Sequence, residues 1–216
     1  MSEQAASPSP VAPVATGGVV TAAIQTHYQD TIQISRGQAT VIGSAIAGRG
    51  PGAKVLVFGC GNDSPLWAAM NPGGETVFLE NHRTWLPEAR ERFPDLDIRE
   101  ISYRGRTVAD SLPIDEAELA RFPVPDVIAS AAWDVILVDS PMGSKPAMPG
   151  RSLSIYWSHR VATESTHVFV DDYRRPLERA YADHFFRSRR PWNIEVPRVL
   201  RHGIRNAGVM LWSVGV

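Results

Sequence analysis

The chain carries a single cysteine, Cys60, among 216 residues. One thiol excludes an internal disulfide and any cysteine-based zinc cluster. Set between Gly59 and Gly61, it is expected simply to fill a turn with a small side chain. No stretch approaches the ~20 consecutive apolar residues of a membrane helix. The first residues offer neither the basic n-region nor the apolar core of a secretory leader, so a cytoplasmic location is expected. Neither sign of charge dominates: the formal net charge is −1, which gives no reason to expect a nucleic-acid or membrane partner. With 44% hydrophobic and 21% charged residues, the composition suits one globular domain with a full core.

Residues 1–18 are rich in Ala, Ser, Pro and Gly with little apolar bulk, the composition of a disordered tail. One domain is expected over 19–216. From Val19 to Gly48 apolar residues recur at helical spacing (Ile32, Ala39, Ile42, Ile46), interrupted by Gly37 and Gly43. Strand and helix signals then alternate. Strands are predicted at 55–58, 77–79, within 96–103, and at 133–139 and 167–172. Helices are predicted at 65–70, 84–93, 115–121, 152–163 and 176–187. A closing hairpin is predicted from 198–202 and 207–214. Such alternation implies a mainly parallel α/β sheet with helices on both faces and its ligand site at the strand C-termini. A terminal antiparallel hairpin on that sheet is the Rossmann-like layout of class I methyltransferases.

The strand Val55-Leu56-Val57-Phe58 stops at Gly59-Cys60-Gly61. A second apolar run, Thr76-Val77-Phe78-Leu79, delivers Glu80 nineteen residues after Gly61. Glycines under a ligand and a carboxylate for ribose hydroxyls form a nucleoside site. The third glycine of the dinucleotide fingerprint is replaced by Ser64, and no lysine follows the loop. Asp63 would repel a pyrophosphate and attract an amino group. A nucleoside with a cationic amino-acid tail fits these residues, and S-adenosylmethionine is that ligand. Gly59, Gly61, Asp63, Ser64 and Glu80 are its expected contacts, with Tyr103 and Arg104 near the adenine or the acceptor.

Asp139, Asp171 and Asp172 end the fourth and fifth predicted strands, so the topology gathers them at one edge. Three readings of these acids stand together. They would hold Mg or Mn, since hard cations take oxygen ligands. Alternatively, Asp139 is a general base that also touches the cofactor, with Asp171 beside it. Finally, Asp171 or Asp172 caps the next helix. Arg151, Arg160 and Arg174 are rival neutralisers of the acids and could grip an acidic acceptor. His159 is a further candidate base, and Trp67, Trp85, Trp133 and Trp192 are expected in the core.

Leu56 to Trp67, Asn71 to Glu80, Val138-Asp139-Ser140-Pro141-Met142-Gly143, Pro149-Gly150-Arg151, Ile155-Tyr156 and Val168-Phe169-Val170-Asp171-Asp172 together resemble the glucuronoxylan 4-O-methyltransferase family, the DUF579 group. The likeness runs from about residue 53 to 185. It implies a class I methyltransferase fold and S-adenosylmethionine as methyl donor, carried by Gly59, Gly61 and Glu80. Known plant members methylate the 4-hydroxyl of glucuronate side chains on xylan. The expected reaction is therefore O-methylation of a small or sugar-acid-like acceptor. Cyclisation or another alkyl transfer from the same donor, and a non-catalytic nucleoside-binding module, are the alternatives. The oligomeric state is left open.

Overall fold

The computed structural model describes residues 16–186, 190–194 and 209–213, with side chains from Gly17 to Phe186. Two helices come first, α1 (Thr16–His27) and α2 (Arg36–Ala47). Then follow β1 (Lys54–Phe58), α3 (Ser64–Ala69), β2 (Glu75–Glu80), α4 (Trp85–Arg92) and β3 (Asp97–Glu100). Two short helices, α5 (Glu116–Leu119) and α6 (Asp126–Ala129), lead to β4 (Val135–Val138). The chain continues with α7 (Ser152–Val161), β5 (His167–Val170), α8 (Pro176–Phe186), β6 (Arg190–Ile194) and β7 (Val209–Ser213).

The strands form one sheet in the order β3-β2-β1-β4-β5-β7-β6. β1 to β5 are parallel, while β7 runs antiparallel to both β5 and β6. The order reverses between β1 and β4, the switch point where open α/β sheets hold ligands. The inner strands read as near-continuous apolar runs because both faces are covered. Leu56, Phe58, Val77, Leu79, Ile136, Val138, Val168 and Val170 face one core layer under α5 to α8. Val55, Val57, Phe78, Val135, Leu137 and Phe169 face the other, under α1 to α4.

Local signals explain the helices. α2 begins with a capping box, in which the Gln38 N–H donates to the Ser35 hydroxyl and the Ser35 N–H donates to the Gln38 carbonyl oxygen. At Gly43 on α2 a methyl group would collide with the Met70 side chain, which follows α3. Pro65 enters α3 in its first turn. On α8, Leu177, Tyr181, Ala182 and Phe185 bury one face at helical spacing.

Three expectations change. Gly17 and Gly18, assigned to the tail, belong to α1, while residues 1–15 lie outside the described residues. α6 was not foreseen, since four residues after Pro125 are too few to show a period. The partner of β7 is β6 at Arg190–Ile194, and the expected strand at 198–202 falls outside the described residues. Trp192 has no described side chain. Among the described residues no helix is long and apolar enough to cross a membrane.

The register positions the site. Beyond the strands proper, the Gly59 N–H donates to the Leu79 carbonyl (2.8 Å), Asp139 N–H to Phe58 (3.1 Å) and Asp171 N–H to Val138 (3.0 Å). The ladder thereby carries Gly59, Glu80, Asp139 and Asp171 to one edge. Replacing Ser35 with alanine removes the cap that starts α2 and is expected to cost about 1 kcal/mol. The check is the urea midpoint at constant m-value.

Candidate active site

The turn after β1 is held by three side chains that reach back to it, Ser64, Glu80 and Trp85. Gly59 sits at φ +112°, and a Cβ there would lie 2.9 Å from that of Ser140. Only glycine meets both conditions. Gly61 is different: its φ is ordinary, and a Cβ would meet only Asp63 Oδ1, at 3.3 Å. Its N–H donates to Ser64 Oγ (2.9 Å), so the buried Ser64 closes the turn and does not line the cavity. The Cys60 carbonyl accepts from Trp85 Nε1 (2.6 Å). Burial pushes the Cys60 thiol up to about 11, leaving it protonated at neutral pH.

Glu80 ties this turn to the one after β2. Its Oε2 accepts from the Cys60 N–H (3.2 Å) and its Oε1 from the N–H groups of Asn81 (2.8 Å) and His82 (2.7 Å). Asp63, at the start of α3, accepts from Trp67 Nε1 (3.0 Å). Burial, opposed by that bond and reinforced by the charge of Asp171, raises the Asp63 pKa.

At the β4 and β5 ends the organiser is Arg151, which is buried at 4% exposure. Its Nη2 donates to the Asp139 carbonyl (2.6 Å) and Oδ1 (3.1 Å), and lies 3.0 Å from Asp172 Oδ2. Its Nη1 reaches Asp171 Oδ2 at 3.4 Å. Arg175 Nη2 pairs with Asp172 at 2.5 Å. Burial and then the neighbouring Asp171 charge hold Asp139 well above the usual carboxylate range, against the pull of Arg151. Burial likewise raises Asp172, again opposed by Arg151. Asp139 keeps 38% of its side chain exposed. It is thus an open carboxyl that holds its proton to higher pH than an ordinary carboxylate.

These groups line one cavity of about 530 Å³. Asp63, Glu80, Asp139, Asp171 and Asp172 face it, against two cations, Arg151 and Arg175. Gly59, Cys60 and Gly61 form its floor.

The other expected site residues lie elsewhere. Tyr103 is buried, stacked on Trp157 at 5.7 Å and hydrogen-bonded by Ser154 Oγ (2.9 Å). Its phenol therefore belongs to the core, and burial raises its pKa. His159 packs against the Phe185 and Phe186 rings (5.1 and 5.8 Å) and is not among the cavity-lining residues. Arg104 and Arg174 are exposed, and Arg160 turns to the Tyr156 hydroxyl. Asp139, Asp171 and Asp172, expected to hold a metal, are paired with arginines instead. The Arg151 guanidinium stands where a shared cation would, and no three of His, Cys, Asp and Glu make a metal-holding group among the described residues. The same pairing answers the helix-cap reading, since the Asp171 and Asp172 carboxylates go to arginines. Trp67 and Trp133 are core residues as expected, whereas Trp85 fixes the glycine turn. Residues 31–34, between α1 and α2, also line the cavity and were not anticipated. The Ser35–Gln38 capping box was the one signal that could have marked where that connection ends.

Comparison with known proteins identifies the family and the fold. The family model IRX15/IRX15L/GXM matches residues 38–115 and 105–195. Arabinogalactan O-methyltransferase 2 of Arabidopsis thaliana is 34% identical over 66% of this chain and 60% of its own length. Glucuronoxylan 4-O-methyltransferase 1 of the same plant is 32% identical over 67% of this chain and 58% of its own. The chain thus matches roughly three fifths of the length of these relatives. Among solved structures, the O-methyltransferase TomG from Streptomyces achromogenes superposes with a TM-score of 0.55, covering 93% of this chain and 90% of that one at 14% identity. That likeness establishes the class I Rossmann-like fold.

Replacing Arg151 with methionine leaves its acids without their buried cation and is expected to cost about 3–5 kcal/mol at pH 8. Acids with raised folded-state pKa values bind more protons folded than unfolded, so their penalty grows as pH rises through those values. Losing Arg151 raises them further. The deficit should therefore narrow between pH 8 and pH 5, as read by urea unfolding of both proteins at each pH.

Proposed function

The chain belongs to the IRX15/IRX15L/GXM family, and from that membership we propose that it is an S-adenosylmethionine-dependent O-methyltransferase acting on a hydroxyl of a sugar-type acceptor. The observation that carries this reading is the pairing of the Gly59 turn with a row of carboxylates in one cavity. Five acids against two arginines leave that cavity negative, which suits a ligand bearing a sulfonium and an ammonium.

The residues present fit the donor. Gly59 and Gly61 keep the floor free of side chains, and backbone alone can approach a ligand there. Glu80 Oε2 accepts a single N–H, so it retains capacity for a ribose hydroxyl. The open Asp63 oxygen suits the ammonium group. The donor, when bound, supplies a methyl group on a positively charged sulfur. Asp139 takes the proton of the acceptor hydroxyl, and Arg151 keeps the Asp139 and Asp171 carboxylates in place. Much of the rate then comes from holding the acceptor oxygen in line with the methyl group. The names of the plant relatives support a polysaccharide acceptor.

Three measurements test this. Calorimetry with S-adenosylmethionine should show binding that Glu80→Ala weakens by ~1.5–3 kcal/mol, the scale of a hydrogen bond to a charged group. Labelled methyl transfer to glucuronoxylan or arabinogalactan should leave S-adenosylhomocysteine, whereas methylthioadenosine would indicate cyclisation. Asp139→Asn should retain donor affinity and lose roughly 10²–10⁴-fold in turnover. Absence of donor binding in the unmodified protein would remove the proposal.

A further inference from the structure

The cavity is longer than the donor half described above. Its remaining wall comes from uncharged residues of two segments. One is the α1–α2 connection, where Ile32, Gln33 and Ile34 line the cavity. The other is the loop after β4, which contributes Met142 and Ser144.

Both segments are fixed in place. The Tyr28 hydroxyl donates to the Ile34 carbonyl (2.6 Å), the Ile32 N–H donates to Gln29 (3.0 Å), and the Ile32 side chain is buried in the core under α1 to α4. Gln33 is therefore an exposed side chain between two anchored neighbours. The β4 loop is closed by the Gly150 N–H donating to Met142 (2.9 Å) and braced by the Val108 N–H donating to Met148 (2.8 Å). On it Met142 stands 59% exposed, one of only two large exposed apolar side chains among the described residues. A thioether held out at the mouth of a polar cavity has no role in the core.

We propose that Gln33 and Met142 form the acceptor subsite, with Gln33 the residue that sets acceptor specificity by hydrogen-bonding the neutral hydroxyls of a carbohydrate chain. An amide can donate to one hydroxyl and accept from its neighbour, and the soft thioether packs against the apolar C–H face of a sugar ring. The subsite lines the same cavity as Asp139 and the glycine turn. The assignment rests on the methyl-transfer reading only in giving the donor the other half of the cavity.

The test uses the full chain and two separate calorimetric titrations, one with S-adenosylhomocysteine and one with glucuronoxylan or arabinogalactan fragments. Gln33→Ala and Met142→Ala change exposed side chains and should leave the fold intact. Each is expected to weaken binding of the carbohydrate fragments about five- to tenfold, the scale of one neutral hydrogen bond or apolar contact, with S-adenosylhomocysteine affinity unchanged within about twofold. Unaltered carbohydrate affinity in both variants overturns the proposal. So does an equal loss of S-adenosylhomocysteine affinity, which would give this wall to the donor, and so does a parent protein that binds neither polysaccharide. If carbohydrate binding depends on Gln33 while S-adenosylhomocysteine is not bound, the subsite stands and the methyl-transfer reading falls.

Discussion

A buried guanidinium among three carboxylates is the interaction on which the acidic edge depends. Parallel pairing brings β4 and β5 to the same level, and the chain then places Asp139, Asp171 and Asp172 side by side. Such a cluster is self-repelling. Arg151, at the start of α7, supplies the opposing charge from beneath and is bonded to the Asp139 backbone as well as to the carboxylates. Buried ion pairs of this kind add little net stability over an apolar core, but removing one partner is costly. The arrangement therefore holds the acids in one geometry more than it strengthens the fold. Burial, which Arg151 only partly offsets, holds Asp139 raised while its side chain stays open to the cavity.

Glu80 does the equivalent work at the other end of the cavity. Three backbone N–H groups from two separate turns converge on it, so the loop that would carry a nucleoside is ordered before any ligand arrives. Trp85 adds a hydrogen bond to the Cys60 carbonyl and Ser64 one from the Gly61 N–H. Preorganisation of this sort reduces the ordering cost that binding otherwise carries. It also means that a change at Glu80 acts on the turn and on the ligand together.

Much of the architecture was legible in the order of residues. Apolar runs that end in Gly or an acid marked β1, β2, β4 and β5, because a strand buried on both faces has little else to be. That Gly59, Glu80, Asp139 and Asp171 share one strand-end edge was legible for the same reason, since each directly follows or ends such a strand. His159 and Tyr103 were misplaced. Both sit next to elements that border the site, yet which way a side chain turns is decided by what packs against it. Phe185, Phe186 and Trp157 claim these rings for the core.

The sequence by itself determined the strand–helix alternation, the glycine turn and the strand-end carboxylates, because these follow from local periodicity and from backbone rules that need no distant partner. Only the tertiary structure decided how the acids are neutralised, which tryptophan braces the turn and which segment roofs the cavity. Arg151 could not be told from Arg160 or Arg174 by position, since what separates them is burial beneath two strand ends. The α1–α2 connection joins the site from more than a hundred residues upstream of Asp139. Contacts of that separation are set by how helices stack on the sheet, and no local pattern encodes them.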